Sequence, residues 1–239
     1  EFAQLLAASP AGASVYAATG SSASIACGRL SYALGLHGPC APYDTACAAA
    51  LVAGHAGLRS LQFRECVTGL ASGVTLVLAP GVGTSFAVAG MTSARGRSHT
   101  FDARADGYAR GEACGGIAMR RSDQGIKLGV RGSAVRQDGR SASLTAPNGQ
   151  AQQALLVAAR HEARLSAAAL ALNEAHGTGT ALGDPIEASS LTGAVLTARD
   201  EALAVGGIKA NIGHAEPAAG MTGLLKLAGG LGRGEAAPN

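Results

Sequence analysis

A cysteine stands where an extended segment turns into an alanine-rich helix, in the run Tyr-Asp-Thr-Ala-Cys-Ala-Ala-Ala-Leu-Val-Ala-Gly at residues 43–54. At the N-terminus of a helix, unpaired backbone N–H groups and the helix dipole favour a thiolate over a thiol. A thiol whose pKa is lowered in this way is a nucleophile. The position of Cys47 therefore suits covalent catalysis, and a buried structural cysteine in a helix of small residues fits the same pattern.

Two histidines lie on glycine-rich loops, each shortly after a predicted strand. His176 belongs to the run Glu-Ala-His-Gly-Thr-Gly-Thr at residues 174–180, and His214 belongs to Lys-Ala-Asn-Ile-Gly-His at residues 209–214. Active sites of α/β folds collect at the carboxyl ends of parallel strands, and imidazole exchanges protons near neutral pH. Taken singly, each histidine also fits a structural polar role. The Gly-Thr-Gly-Thr run lacks the Gly-Lys-Ser/Thr ending of a phosphate-binding P-loop, which excludes that site.

Strand-like and helical segments alternate along the chain, which predicts an α/β architecture with a mostly parallel sheet. The predicted strands cover residues 14–19, 40–46, 67–77, 113–120, 126–135, 171–174 and 203–208. The predicted helices cover residues 21–36, 47–62, 150–162, 185–197 and 218–231. The polar run Arg-Arg-Ser-Asp-Gln-Gly occupies residues 120–125, so we place the boundary between two halves there, at 1–122 and 123–239.

Composition excludes several classes of function. The chain has 239 residues, of which 47% are apolar and 15% charged, with a net charge of +3, so neither a nucleic-acid footprint nor a membrane-surface patch is predicted. Aromatic residues make up 3%, too few for a base-stacking platform. Residues 66–94 carry no charge, but glycines and a proline divide them into a strand, a turn and a loop. We therefore predict no membrane-spanning helix there.

The cysteine count argues against a metal site. The chain has five cysteines without any Cys-x-x-Cys pair: Cys27, Cys40, Cys47, Cys66 and Cys114. An odd number without that spacing predicts neither a zinc site nor a complete disulfide framework, and it favours a reducing compartment. The chain opens with Glu1 inside a helical pattern and closes on Ala-Ala-Pro-Asn, so we expect a fragment of a longer polypeptide, truncated at both ends.

Three blocks, in this order, resemble the signature blocks of the β-ketoacyl synthase domain of type I polyketide and fatty acid synthases. They are Asp-Thr-Ala-Cys at 44–47, Glu-Ala-His-Gly-Thr-Gly-Thr with Gly-Asp-Pro-Ile-Glu at 174–187, and Lys-x-Asn-Ile-Gly-His at 209–214. Intervening runs fit the same family, among them Gly-Arg-Leu-Ser-Tyr at 28–32 and Leu-Thr-Ala-Pro-Asn-Gly at 144–149. The resemblance covers essentially the whole chain, and the first two blocks lean toward the polyketide type.

This resemblance implies the thiolase-like fold, in which two similar βαβαβ-type halves stack as layers α/β/α/β/α. It also implies an acyltransferase that performs decarboxylative Claisen condensation between an enzyme-bound acyl thioester and a malonyl-type extender. The extender would arrive on the phosphopantetheine arm of an acyl carrier protein, beside neighbouring synthase domains of the same polypeptide. The resemblance further implies a homodimer whose subunits pair along residues 40–46 and a cytoplasmic location. It implies no cofactor or metal of the domain's own, and no nucleic-acid or membrane partner.

Carried over position by position, the resemblance makes Cys47 the nucleophile that takes the acyl group as a thioester. His176 and His214 would donate N–H groups to the enolate oxygen and assist decarboxylation. Lys209 would orient the site and raise its positive potential. We expect Glu216 to be its ion partner, because a buried lysine without a carboxylate is costly.

We expect four further residues to have supporting roles. Thr178 and Thr180 match the family threonines that hydrogen-bond the pantetheine arm. Asp184 and Glu187 are expected to hold the loop and the following helix in place, through capping and internal ion pairs. The family usually has serines after the nucleophile, where this chain has alanines at 48–50, and we expect that difference to alter helix packing more than chemistry.

Several related activities can be distinguished by single residues. A degradative thiolase would need a second cysteine in the role of His214, and a chain-initiating synthase would have asparagine there. Inactive chain-length partners lack the nucleophile, whereas Cys47 is present. One alternative stays open, a non-elongating or truncated ketosynthase domain that only docks a carrier protein or holds its module together, because the catalytic residues can persist in domains that do not condense.

Overall fold

The structure is a computed structural model that describes residues 1–122 and 128–236. Its strands are β1 (Thr68–Thr75), β2 (Ala113–Arg120), β3 (Leu172–Glu174) and β4 (Ala204–Gly206). Its helices are α1 (Phe2–Ala7), α2 (Ala17–Ser21), α3 (Ala23–Leu34), α4 (Ala49–Gln62), α5 (Pro80–Val88), α6 (Gly149–Ala163), α7 (Gly183–Ala194), α8 (Lys209–Ile212) and α9 (Ala219–Arg233). Short 3₁₀ turns lie at Pro10–Ala13, Ala46–Ala48, Leu196–Ala198 and Glu216–Ala218.

Local sequence explains where several helices begin and end. The side chain of Asn148 caps α6 by accepting hydrogen bonds from the N–H groups of Gln150 and Ala151, at 3.1 and 3.2 Å. Gly35 ends α3 with a φ of +65°, a left-handed conformation that a residue without a Cβ adopts readily. Pro80 occupies the first turn of α5, where its missing N–H is not needed. Such signals explain why the long helices α3, α4, α6, α7 and α9 lie close to their predicted bounds.

The strands form two pairs of opposite sense. β1 and β2 are antiparallel, with Thr68 opposite Arg120, whereas β3 and β4 are parallel, with Glu174 opposite Gly206. The parallel pair agrees with the expected mostly parallel sheet, and the antiparallel pair differs from it. The connection between β1 and β2, which contains α5 and a long loop, is long enough to return the chain in either direction.

Three predicted strands are absent at their positions in the described part of the chain. Residues 14–16 lead into α2, which contains residues 17–19, and residues 40–45 form no strand before the 3₁₀ turn Ala46–Ala48. Of the predicted strand 126–135, the first two residues lie outside the described residues and residues 128–135 form no strand. An apolar run does not make a strand by itself, because a strand also needs a neighbour that accepts its backbone hydrogen bonds.

The helix α4 packs closely on β1. Ala50 is buried on α4 and Ala71 on β1, and Gly73 of β1 faces Ala50. A Cβ at Gly73 would lie 2.7 Å from Cβ of Ala50 and 3.0 Å from Cα of Ala218. Small residues on both elements therefore allow an approach that larger side chains would prevent.

A second apolar cluster lies between α6 and α7 and extends to β4. Its buried members are Ala167, Leu191, Ala194 and Val195, and Leu156, Leu170, Leu196, Leu203 and Val205 pack against them. This cluster anchors α7, the helix that follows the His176 loop. In the described residues, no helix is both long enough and apolar enough to cross a bilayer.

Candidate active site

Cys47 lies in the 3₁₀ turn Ala46–Ala48, directly before α4. Its thiol is half-buried, with Sγ 3.0 Å from Nε2 of His214. Burial raises the pKa of this thiol, while the charge of Lys209 and the backbone N–H of Cys47 oppose the rise and Glu216 adds to it. The prediction that the helix start lowers this pKa is wrong in direction, because desolvation outweighs the favourable charges.

His214 is fully buried, with 1% of its surface exposed. Its backbone pairs with the segment that leads into β2: its N–H donates to the carbonyl of Ala109 at 2.6 Å, and its carbonyl accepts from the N–H of Gly111 at 2.9 Å. Burial lowers the pKa of His214 to about 3, with further contributions from Lys209 and His176. The imidazole is therefore neutral at physiological pH.

The hydrogen bonds of His214 determine its tautomer. The backbone N–H of Glu216 donates to Nδ1 at 3.2 Å, so Nδ1 carries a lone pair and the single proton of the neutral ring lies on Nε2. Nε2 is the atom that faces the sulfur of Cys47 at 3.0 Å. His214 therefore presents an N–H donor to the reacting group and is not placed to accept the thiol proton.

His176 lies at the mouth of the same cluster, with its ring centre 5.5 Å from that of His214 and the two rings at 87°. The side chain is exposed by surface area, yet protein atoms crowd the ring on its other sides. This desolvation, followed by the charge of Lys209, lowers the pKa of His176. The ammonium of Lys209 donates to the carbonyl of His176 at 2.5 Å and lies 3.5 Å from Nδ1, which favours the ring proton on Nε2.

Lys209 is buried, with 4% of its surface exposed. Burial lowers the pKa of its ammonium group, and the nearby carboxylates of Glu187 and Glu174 oppose that shift. The predicted ion pair between Lys209 and Glu216 is wrong, since Glu216 pairs with Arg110 at 2.8 Å. The backbone of Glu216 has a φ of +40°, and this conformation directs its side chain toward Arg110.

Two carboxylates of α7 hold the loop that carries His176. Asp184 accepts hydrogen bonds from the N–H groups of Gly179, at 3.0 Å, and Phe101, at 2.7 Å. Glu187 accepts from the N–H groups of His176 and the residue after it, at 2.6 and 2.7 Å. Both side chains contact the loop through backbone N–H groups, whereas the sequence predicts caps and ion pairs.

Thr178 and Thr180 meet through their hydroxyl groups, 3.1 Å apart. Thr178 is buried, and Thr180 lines a cleft of about 420 Å³ together with Phe101 and Pro185. The hydroxyl of Thr180 also accepts from the N–H of Gly183 at 3.1 Å. A cleft with hydroxyl groups at its edge can receive an extended polar arm.

Among the described residues, the ligand atoms of Cys47, His176 and His214 lie within 4.8 Å of one another, a spacing that a metal ion can use. Thiolate and imidazole are ligands that zinc prefers. Coordination through His214 would require the lone pair of Nε2, however, and the Glu216 N–H at Nδ1 puts the proton on Nε2. The donor set therefore fits N–H donation better than metal binding.

Sequence reasoning missed two residues that the fold brings to the cluster. Tyr108 is buried and its ring packs edge-on against His214, with centroids 4.9 Å apart; burial raises the pKa of its hydroxyl to about 12. Arg110 is 13% exposed and binds Glu216. Both belong to the run Asp-Gly-Tyr-Ala-Arg-Gly-Glu at 106–112, and its dense polar residues directly before a predicted strand were the available signal.

Comparison with known proteins identifies the family that this chain matches. Two sequence models match the chain: "Beta-ketoacyl synthase, N-terminal domain" at residues 2–125, and "Beta-ketoacyl synthase, C-terminal domain" at residues 129–239. The first match contains Cys47 and the second contains both active-site histidines.

Curated relatives include large polyketide synthases. A phenolphthiocerol/phthiocerol polyketide synthase of Mycobacterium tuberculosis is 47% identical over 224 residues, which are 91% of this chain and 10% of the relative. Pikromycin polyketide synthase component PikAII of Streptomyces venezuelae is 44% identical over 220 residues, which are 89% of this chain and 6% of the relative. The chain therefore spans a tenth or less of these two relatives.

Solved structures give the same result for the fold. The ketosynthase from module 6 of the bacillaene synthase from Bacillus subtilis 168 superposes with a TM-score of 0.85 at 34% identity. The superposition covers 90% of this chain and 40% of that chain. The predicted thiolase-like α/β fold is thereby confirmed.

Proposed function

The chain belongs to the β-ketoacyl synthase family, and on this premise we propose that it carries the catalytic centre of a ketosynthase that extends an acyl chain in polyketide biosynthesis. One observation carries the proposal: Sγ of Cys47 lies 3.0 Å from Nε2 of His214, and His176 joins the same cluster. A nucleophile with two N–H donors beside it is what acyl transfer followed by enolate stabilisation requires.

In the first half-reaction, the sulfur of Cys47 attacks the carbonyl carbon of an incoming acyl thioester. The new C–S bond forms, the old one breaks, and the thiol proton leaves with the departing thiol. The backbone N–H of Cys47 is one donor available to the tetrahedral oxyanion. Because burial raises the pKa of the thiol, we expect Cys47 to remain protonated until substrate arrives.

In the second half-reaction, a malonyl-type extender loses CO₂, and the electrons of the broken C–C bond form an enolate. Its oxygen accepts hydrogen bonds from the Nε2–H groups of His176 and His214. Both rings have lowered pKa values and are neutral, so they act as donors without giving up a proton. The enolate carbon then attacks the acyl carbonyl on Cys47, the C–S bond breaks, and the released thiolate takes a proton from water.

The other site residues act through position. We assign Lys209 to fix the tautomer of His176 and to supply positive potential, since its ammonium lies 3.5 Å from Nδ1. Asp184 and Glu187 keep the His176 loop in place through three of its backbone N–H groups, and Asp184 also accepts from the N–H of Phe101. Thr178 and Thr180 are assigned to the phosphopantetheine arm because Thr180 lines a cleft and the two hydroxyl groups lie 3.1 Å apart.

We further propose an acyl carrier protein as the partner that delivers the extender, with neighbouring synthase domains in the same polypeptide. The relatives support this, because the two compared in detail are polyketide synthases many times longer than this chain. A homodimer paired along residues 40–46 and a cytoplasmic location with no cofactor or metal complete the proposal. The cysteines of the described residues are free thiols, which suits a reducing compartment.

The test is intact-protein mass spectrometry of the natural-length protein after incubation with a short acyl thioester, with Cys47→Ala as the control. We expect one acyl adduct that the variant lacks, followed by loss of the adduct and formation of a β-ketoacyl product when a malonyl-loaded carrier protein is added. No adduct on a folded protein would contradict the proposal. An adduct that a malonyl-loaded carrier does not discharge would favour the non-elongating alternative.

A further inference from the structure

We propose that Arg110 is a positioning residue that acts through Glu216 on His214. In this arrangement an ion pair outside the catalytic cluster keeps the proton of His214 on the nitrogen that faces Cys47. The inference deepens the proposed function and rests on it for the meaning of the cluster. The hydrogen bonds on which the proposal depends, however, can be tested without catalytic turnover.

The ion pair between Arg110 and Glu216 is bidentate. Nε of Arg110 lies 2.8 Å from Oε1 of Glu216, and Nη2 lies 3.2 Å from Oε2. The two side chains are 13% and 15% exposed. Two parallel N–H···O bonds fix both the distance and the plane of the carboxylate, which a single contact cannot do.

Arg110 is itself held from the opposite side, so it can serve as an anchor. Its Nη2 donates to a carboxylate oxygen of Glu1 at 3.1 Å, and its guanidinium lies 5.7 Å from the ring centre of Phe86. The carboxylate of Glu1 in turn accepts from the N–H groups of Leu78 and Ala79, at 2.5 and 3.0 Å. The guanidinium therefore has fixed contacts beyond the one to Glu216.

Glu216 needs such an anchor because its backbone is strained. Its φ of +40° lies in the left-handed region, which is unfavourable for a residue with a Cβ and persists where surrounding contacts impose it. In this conformation its N–H points at Nδ1 of His214, at 3.2 Å. Release of the side chain would allow the backbone to relax and the N–H to leave Nδ1.

Arg110 is also adjacent to the backbone of His214. The N–H and carbonyl of His214 bond to the residues on either side of Arg110, at 2.6 and 2.9 Å. The segment that carries the guanidinium and the segment that carries the imidazole thus move together. These two backbone hydrogen bonds do not fix the direction of the Glu216 N–H. The ion pair between the side chains of Arg110 and Glu216 adds that constraint.

The consequence is a defined hydrogen bond at the nucleophile. With Nδ1 occupied as an acceptor, Nε2–H donates toward Sγ of Cys47 and stabilises the thiolate relative to the thiol. Without the hydrogen bond from the Glu216 N–H to Nδ1, the neutral ring can exchange tautomers and present a lone pair to the sulfur. The stabilisation of the thiolate is then lost. The other titratable or charged groups that face the cluster are His176, Lys209, Tyr108 and the carboxylate of Glu216.

The experiment measures the rate of Cys47 alkylation by iodoacetamide against pH, by peptide mass spectrometry on the natural-length protein. Four proteins form a cycle: wild type, Arg110→Met, His214→Ala and the double variant. We expect Arg110→Met to move the midpoint of the profile upward by about one pH unit, because a hydrogen bond to a charged group is lost. In the His214→Ala background, the midpoint is already raised, and Arg110→Met should add less than half of its wild-type shift, from the unpaired charge of Glu216 alone.

Two outcomes would overturn the inference. One is an Arg110→Met protein that is folded by circular dichroism and has the wild-type profile. The other concerns the size of the shift in midpoint that Arg110→Met causes. If this shift in the His214→Ala background is at least half of that in the wild-type background, Arg110 acts through the charge of Glu216 or through the fold.

Arg110→Lys provides a second cycle if the methionine variant does not fold, because lysine keeps the charge but cannot form both bonds. We expect a smaller upward shift that again requires His214. A wild-type profile for Arg110→Lys would contradict a role for the bidentate contact. Because alkylation needs no turnover, a wild-type protein that forms no acyl adduct but behaves as expected in this cycle would contradict only the proposed function.

Discussion

The reactivity of Cys47 depends on opposing effects of burial and of one buried cation. Burial raises the pKa of the thiol, and the ammonium of Lys209 is the largest influence that lowers it. Lys209 is itself destabilised by burial and supported by the carboxylate of Glu187. The same carboxylate holds the His176 loop, so charge and position in the site are coupled through one side chain.

This balance predicts the effect of removing the cation. In a Lys209→Met variant the thiol pKa rises further, so at any fixed pH a smaller fraction is thiolate and alkylation is slower. We expect the rate profile of Cys47 alkylation to move to higher pH by about one unit, or about tenfold in rate at pH 7. Iodoacetamide kinetics from pH 6 to 10, with modification quantified at Cys47, measure the shift.

Lys226→Met is the matched control for that prediction. Lys226 is paired with Glu174 at 3.0 Å and lies outside the cluster of Cys47, His176 and His214. Its profile should coincide with that of the wild type. Equal profiles for Lys209→Met and Lys226→Met in folded proteins would show that the cation at Lys209 does not set thiol reactivity.

At the same scale, sequence predicted which residues would meet but not all of their partners. Cys47, His176 and His214 converge as the resemblance implied. Pairing of Lys209 with Glu216 was inferred from proximity along the chain, and it failed because a backbone φ of +40° turns Glu216 to Arg110. A single backbone angle of this kind leaves no mark in residue types, which is why the Arg110 contact was not predicted.

At the scale of elements, the packing of α4 on β1 positions the nucleophile. Cys47 immediately precedes α4, so the depth at which this helix lies on the strand sets the depth of the sulfur. Gly73 is the point of closest approach, with Ala50 on the helix and Ala218 in the turn that follows His214. The packing around Gly73 therefore connects α4, the helix that follows Cys47, to the turn beside His214.

We predict that Gly73→Ala destabilises the fold. The added Cβ would lie 2.7 Å from Cβ of Ala50 and 3.0 Å from Cα of Ala218, and overpacking of this kind costs about 1–3 kcal/mol. For a chain of this size, that corresponds to a drop in Tm of about 2–4 °C per kcal/mol. Thermal unfolding followed by circular dichroism measures it.

The control is Gly28→Ala on α3, where an added Cβ meets no atom within 4 Å. There alanine should leave Tm unchanged or raise it, since alanine is the better helix former by about 1 kcal/mol. A Gly73→Ala protein as stable as the Gly28→Ala protein would mean that α4 can shift away from β1 without cost.

The elements that sequence predicted well are those whose signals are local. The helices α6 and α9 follow from spacing, a cap and glycine positions that lie within the segments themselves. A strand depends on a partner strand elsewhere in the chain. β1 and β2 pair with each other, whereas residues 40–46 have no partner strand among the described residues. The direction of the β1–β2 pair was likewise set by tertiary packing, so alternation of strands and helices did not reveal it.

At the scale of the whole molecule, the accessible surface is larger than that of a closed globule. The chain exposes 14644 Å² at a mass of 23.4 kDa, whereas a folded monomer of that mass exposes roughly 9,700 Å². Large apolar side chains contribute, with Val15, Val67 and Val88 each at least 85% exposed. Since monomers rarely leave such surface uncovered, we expect further protein to cover it when the site is active.

The last prediction concerns the 239-residue chain produced alone. Uncovered apolar surface binds the dye 1-anilinonaphthalene-8-sulfonate, so we expect strong fluorescence, a broad thermal transition and acylation of Cys47 slower than in the natural-length protein. The matched control is the bacillaene module 6 ketosynthase, of which this chain covers 40% in superposition; it should bind little dye and unfold sharply. A chain that alone shows little dye binding and a sharp transition would mean that these side chains are buried without further protein.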